Sequence, residues 1–190
     1  MKKMETSLQA DGYTVINVDY PSRTAPVEEL SEQIFQTLNS ELPNAGEVHF
    51  VTHSLGGILL QHHLQKNPIP NLGRVVMLAP PANGSEVADK LGGFKLYQWI
   101  NGPAGNQLGT GAGSLPLRLK EPDYEFGVIA GDRTINPILS LLIPGPDDGK
   151  VSVARVRSGG ETDFVCLHVT HACMMRNRQV IAQTKAFLKT

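Results

Sequence analysis

Cysteine is almost missing from this chain: Cys166 and Cys173 are the only two in 190 residues. Two thiols cannot build a disulfide framework and lack the four-ligand spacing of a structural zinc site, so they read as reduced and buried. Neither sign of charge is in excess, with Lys plus Arg at 17 against Asp plus Glu at 18. That balance removes the electrostatic case for a nucleic-acid or anionic-membrane partner. No apolar run approaches the roughly 18 residues that a membrane span needs. The start, MKKMETSLQADGY, follows its lysines with polar residues where a signal peptide needs an apolar stretch, so a chain beginning at Met1 is expected in the cytoplasm. With 41% hydrophobic and 18% charged residues, the composition is that of a soluble globular domain and not of a disordered chain. Its length fits one domain over 1–190.

What is present is a rhythm of short β-rich runs separated by helical patterns. Strands are expected at 13–20, 47–53, 74–80, 125–131 and 163–169. All are near-continuous apolar runs, as strands covered on both faces should be, which predicts an α/β architecture with a mostly parallel sheet and helices on both faces. Between the first two, Val27, Leu30, Ile34 and Leu38 recur at helical spacing behind an acidic first turn. A second helix is expected just after Ser54 and a third over 178–189. The stretch from Pro81 to Pro122 breaks the rhythm and reads as a lid-like insertion. It carries one helical pattern at 85–100, whose Phe94, Leu96, Tyr97, Trp99 and Ile100 need somewhere to pack, a cleft being one candidate.

The strongest local signal is strand, then Thr52-His53-Ser54-Leu55-Gly56-Gly57, then helix. A nucleophile elbow, G-x-S-x-G, holds its serine in a strained strand-to-helix turn whose neighbours two positions away must be small. Gly56 meets that demand and Thr52 is a variant of it. Such a turn exposes the Ser54 hydroxyl at the carboxyl end of the sheet and aims the following N–H groups, Leu55 first, at a developing oxyanion. A serine needs a histidine to take its proton and a carboxylate to orient that histidine. His171, just past the last strand, is the favoured base over His168, which lies within the strand pattern and packs or bonds locally. The HxxH spacing of the two has no further ligand nearby, so no metal is expected. Three carboxylates compete for the acid: Asp148, ranked first because the Asp148-Gly149 turn aims it inward, then Asp147, then Asp132, the others serving as caps and turns. His53 reads as a packing residue beside the nucleophile, His49 as a satisfied core or edge histidine, and of His62 and His63 at least one should face solvent.

These residues resemble small bacterial α/β-hydrolases of the lipase and esterase type. The matching stretches are GYTVINVDYPS, VHFVTHSLGG, APPANGSEVADKL through WINGPAGNQLGT, GVIAGDRTINP, LIPGPDDGKVSV and THACMMRN, essentially the whole chain. The resemblance implies the α/β-hydrolase fold, a triad of Ser54, Asp148 and His171, no cofactor, and cleavage of small acyl esters or lipids. Thioesterase, acyltransferase or amidase chemistry would use the same triad, and a non-catalytic relic of the fold is a further alternative. The resemblance also implies a strand and a His-Gly loop ahead of residues 1–12, lying between the strands at 13–20 and 47–53 and donating the second oxyanion N–H. Neither is in this sequence. The expectation is an amino-terminally incomplete form with weak activity or none, since losing one oxyanion donor costs about 100- to 1,000-fold in turnover.

Overall fold

The computed structural model describes residues 1–135 and 140–189, without the side chains of 96–98 and 100. Helix α1 (Lys2–Ala10) is followed by an extended segment, then α2 (Val27–Leu38), β1 (Val48–His53) and α3 (Leu55–Leu64). Strand β2 (Leu72–Leu78) leads through α4 (Glu86–Leu91), α5 (Lys95–Asn106) and α6 (Leu115–Arg118) to β3 (Phe126–Gly131). Helix α7 (Val153–Val156), β4 (Asp163–Leu167), a 3₁₀ turn (His171–Arg176) and α8 (Arg178–Lys189) follow, and a shorter 3₁₀ turn (Leu42–Asn44) lies between α2 and β1.

The strands form one parallel sheet in the order β1-β2-β3-β4. Alternation along each strand sorts the core into two layers. Val76, Leu78 and Ile129 meet Met4 and Leu8 of α1 and Val180, Phe187 and Leu188 of α8 on one face. Val75, Met77, Phe126 and Val128 meet Phe35 and Leu38 of α2, Leu60 and Leu64 of α3 and Val156 of α7 on the other. Central β3 is buried along its whole length, whereas edge strand β1 is only half-buried. Register pairs His53 with Leu78 and Leu78 with Ile129, so the loops after β1, β2 and β3 leave one common edge. That carboxyl edge is where open parallel sheets place their sites. No helix among the described residues is long and apolar enough to cross a membrane.

Several expectations are corrected. Residues 13–20 are not a strand. Their side chains still find the core, Tyr13 and Val15 on the α1–α8 side, Val18 below α2 and α3, Tyr20 beside Val27 and Ile58. Among the described residues no partner strand takes their backbone N–H and C=O groups, and an apolar run becomes a strand only where a ladder satisfies its peptide groups. The helical pattern at 85–100 is broken at Gly92-Gly93 into α4 and the start of α5. Phe94 and Trp99 are exposed instead of packed, while the packing of Leu96, Tyr97 and Ile100 lies outside the described residues. Helix α5 seats itself through Ala104, buried beside α2 and α3, and through Gly102, whose φ of 66° and contact with the Arg23 backbone leave no room for a side chain. Of the two helix histidines, His62 is buried on α3, while His63 stacks on Phe35 and keeps part of its surface open to solvent. Both cysteines are free, yet Cys166 is exposed and Cys173 half-buried; Cys166 stands on β4, the last strand of the sheet.

Candidate active site

Strand β1 ends at His53 and α3 begins at Leu55, leaving Ser54 alone to make the reversal. Its φ of 53° and ψ of −123° lie where a residue with a Cβ is strained. Ser54 N–H donates to Leu78 O at 2.8 Å and Ser54 O accepts from Gly57 N at 3.1 Å, which pins the turn to β2 and to its own helix. The Ser54 side chain caps nothing, so its hydroxyl is committed to no structural bond. Leu55 N–H is the first of α3 and has no acceptor within the helix.

The crowding at this turn differs from the motif's demand. A Cβ at Gly56 would lie 3.6 Å from Thr52 Cβ and 3.9 Å from the Tyr20 hydroxyl, ordinary contacts, and this is why threonine fits at position 52. Gly57 is the tighter position, with Pro80 Cβ at 3.1 Å from an added Cβ. Gly56→Ala is therefore expected to hold or raise stability by up to about 1 kcal/mol through helix propensity, as read in urea unfolding. A loss of that size would mean the elbow cannot take a methyl there.

His171 begins the 3₁₀ turn after β4 and is held from several directions. Its N–H donates to Asp148 O at 2.9 Å and its Nδ1 meets Asp148 Oδ2 at 2.6 Å. An ionised carboxylate only accepts, so the proton of neutral His171 sits on Nδ1 and Nε2 carries the lone pair. Buried Nε2 has no hydrogen-bond partner among the described residues, and Ser54 Oγ does not donate to it here. The Asp148 side chain is fully buried. Its second oxygen accepts from Lys150 N at 3.0 Å and Val151 N at 2.9 Å, and Gly149 supplies the positive φ, 96°, of the turn. The loop is braced from outside: Ser85 Oγ donates to Lys150 O at 3.2 Å, and Arg155 Nε pairs with Glu86 Oε1 at 2.7 Å, tying α7 to α4.

The other two carboxylates have separate partners. Asp147 accepts from Ser140 Oγ at 2.6 Å and Gly149 N at 2.7 Å. Asp132 faces His168 Nδ1 at 2.9 Å on an exposed rim just past β3 and β4. His168 and His171 thus attend different carboxylates, and among the described residues no group of three or more His, Cys, Asp or Glu could hold a metal ion. His49 is satisfied, accepting from Arg74 N at 2.9 Å through Nδ1 and facing Glu47 through Nε2.

Two residues near the elbow carry no motif signal. Tyr20, in the segment expected as a strand, turns its hydroxyl toward Gly56, and burial pushes its phenol up to about 12, so it stays a proton-bearing donor. His53 reaches across to His171: its Nε2 lies 3.1 Å from His171 O, and the two rings are 4.6 Å apart. The G-x-S-x-G pattern treats position 53 as variable, so only the packed structure could single it out. A groove of about 1030 Å³ between α2 and α3, lined by Phe35, His62 and His63 among others, contains none of these residues.

Solved structures share this architecture. The mature form of the lipase BlEst2 from Bacillus licheniformis aligns with a TM-score of 0.79 at 19% identity, over 98% of this chain and 83% of that one. The metagenomic carboxyl esterase MGS0156 aligns at 0.75 and 18% identity, over 90% of this chain and 58% of that one. Phospholipase PlaB from Legionella pneumophila aligns at 0.68 and 16% identity, over 99% of this chain and 59% of that one. This chain spans less than two thirds of the esterase and phospholipase chains. No family model and no curated protein matches the sequence. At such identities the likeness is one of fold: the chain has the α/β-hydrolase fold.

Proposed function

We propose that this α/β-hydrolase chain is a serine hydrolase of carboxylic esters, acting through Ser54, His171 and Asp148. The observation that carries the reading is the state of His171: its Nδ1 is engaged by a buried carboxylate, while its buried Nε2 has no partner among the described residues, beside the turn that presents Ser54. In the proposed reaction His171 Nε2 takes the proton of Ser54 Oγ as that oxygen attacks the ester carbonyl. The oxyanion forms at the amino end of α3, where Leu55 N–H and the helix dipole stabilise it. His171 then gives the proton to the departing alcohol, leaving an acyl group on Ser54. Water enters with His171 again as base, and the acid is released.

For the substrate we propose small acyl esters or lipids. Exposed Phe94 and Trp99, on the 81–122 segment that we propose as a lid, offer apolar surface to an acyl chain. The aligned proteins include a lipase, a carboxyl esterase and a phospholipase, which favours ester chemistry on the shared fold. Fluorophosphonate labelling tests the reading without a substrate guess. The folded chain is expected to carry one label, on the Ser54 peptide, and Ser54→Ala none. A folded chain without label on Ser54 would refute it.

A further inference from the structure

His171 is a residue with nearly every polar atom assigned. Its N–H is bound by Asp148 O, its Nδ1 by Asp148 Oδ2 and its carbonyl by His53, and Nε2 alone is open. Two of these restraints come from the acid loop. The third comes from the residue that immediately precedes the nucleophile. We infer that His53 is a positioning residue for the proposed reaction: through an Nε2–H bond to the His171 carbonyl and contact between the rings, it couples the strand end that presents Ser54 to the loop that presents the base. The inference rests on the hydrolase reading and deepens it.

The chemistry of the bond defines the state of His53. A backbone carbonyl only accepts, so the proton must sit on His53 Nε2, the tautomer opposite to that of His171. The rings lie 4.6 Å apart at 48° to each other, so a rotation of the His171 ring about its side-chain bonds would meet the His53 ring. A positively charged neighbour would oppose the imidazolium that forms on His171 during proton transfer. His53 avoids this: burial first, and then the facing His171, push it down to about 3, so it stays neutral through the working range. The other charged groups near it are Asp148 and Lys150, both on the acid loop. The device therefore adds a donor and a wall without adding a charge.

The test combines variants with a measurement on the unaltered chain. His53→Phe keeps a ring of similar size and removes the donor, whereas His53→Gln restores an N–H that can reach the same carbonyl. His53→Phe is expected to slow both kcat on a 4-nitrophenyl ester and fluorophosphonate labelling of Ser54 by about 10- to 100-fold, the cost of displacing a catalytic group by a fraction of an ångström to one ångström. KM should change far less, and His53→Gln should recover most of the loss. Nitrogen-15 NMR of the unaltered chain should find His53 neutral with its proton on Nε2 from pH 5 to pH 9, a readout that does not depend on any variant folding. Labelling of His53→Phe at the unaltered rate overturns the inference. So does a His53 ring that titrates near pH 6.5, or a rate loss in both variants that merely follows their loss of thermal stability. If the unaltered, folded chain does not label on Ser54, the hydrolase reading itself has failed and the positioning role falls with it.

Discussion

Ser54→Ala is expected to lower kcat for ester hydrolysis by at least about 10,000-fold, because the nucleophile and its base act as a unit and the remaining oxyanion contacts supply only the residual rate. The fold should hardly notice. Ser54 Oγ caps no helix, and the bonds that fix the turn, Ser54 N to Leu78 O and Gly57 N to Ser54 O, are backbone bonds that alanine keeps. Ser54→Gly separates the two contributions of this position. Glycine is at home at a φ of 53° and a ψ of −123°, so the glycine variant should be as inactive as alanine yet more stable than it by about 1 kcal/mol. Urea unfolding beside an initial-rate assay on a 4-nitrophenyl ester reads both quantities. A glycine variant no more stable than alanine would show that the turn stores no strain, and a substantial rate in either would remove Ser54 from the reaction.

Asp148→Asn is expected to cost about 10,000-fold in kcat with the fold intact. Lys150 N–H and Val151 N–H both point at Oδ1, so the amide oxygen of asparagine belongs there and its NH₂ group must replace Oδ2. That NH₂ then faces His171 Nδ1 at the former position of a carboxylate 2.6 Å away. His171 can meet a donor only by accepting, which moves its proton to Nε2, the atom that must be free to take the proton of Ser54. The wrong tautomer is installed by changing one atom. Asp132→Asn is the control, since Asp132 pairs with exposed His168 on the rim, and its turnover should stay close to that of the unaltered chain. Equal losses in the two variants would mean that the acid has been assigned to the wrong loop.

Much of this arrangement is written locally. Val75, Val76, Met77 and Leu78 announce a strand buried on both faces, and such a strand lies inside the sheet with α1 and α8 on one side and α2, α3 and α7 on the other. The turn at Ser54 is legible because a strand, a serine and two glycines in the first turn of an apolar helix leave few other backbone paths. The Asp148-Gly149 pair signals a tight reversal, and Gly149 has the positive φ that such a reversal needs. Where the residues carried equal local signals, the sequence could only rank. Asp132, Asp147 and Asp148 each stand in a turn, and two of them meet a histidine; Asp148 is told apart by meeting His171, 23 residues away, in a buried pair, whereas Asp132 meets His168 on an exposed rim.

Residues 13–20 show the limit most clearly. Their apolar pattern is that of a strand, and Tyr13, Val15 and Val18 pack partly against the core while Ile16 is exposed, but hydrogen-bonded pairing is a property of two segments and no pattern in one of them can supply it. His53 shows the same limit at the scale of one side chain. The sequence by itself determined the parallel sheet and the strained turn at Ser54, because these follow from periodicity and from backbone geometry within a few residues. Only the tertiary structure decided which carboxylate meets His171, that His53 holds its carbonyl, and that 13–20 runs without a ladder, because each depends on groups far apart in the chain meeting within hydrogen-bonding distance.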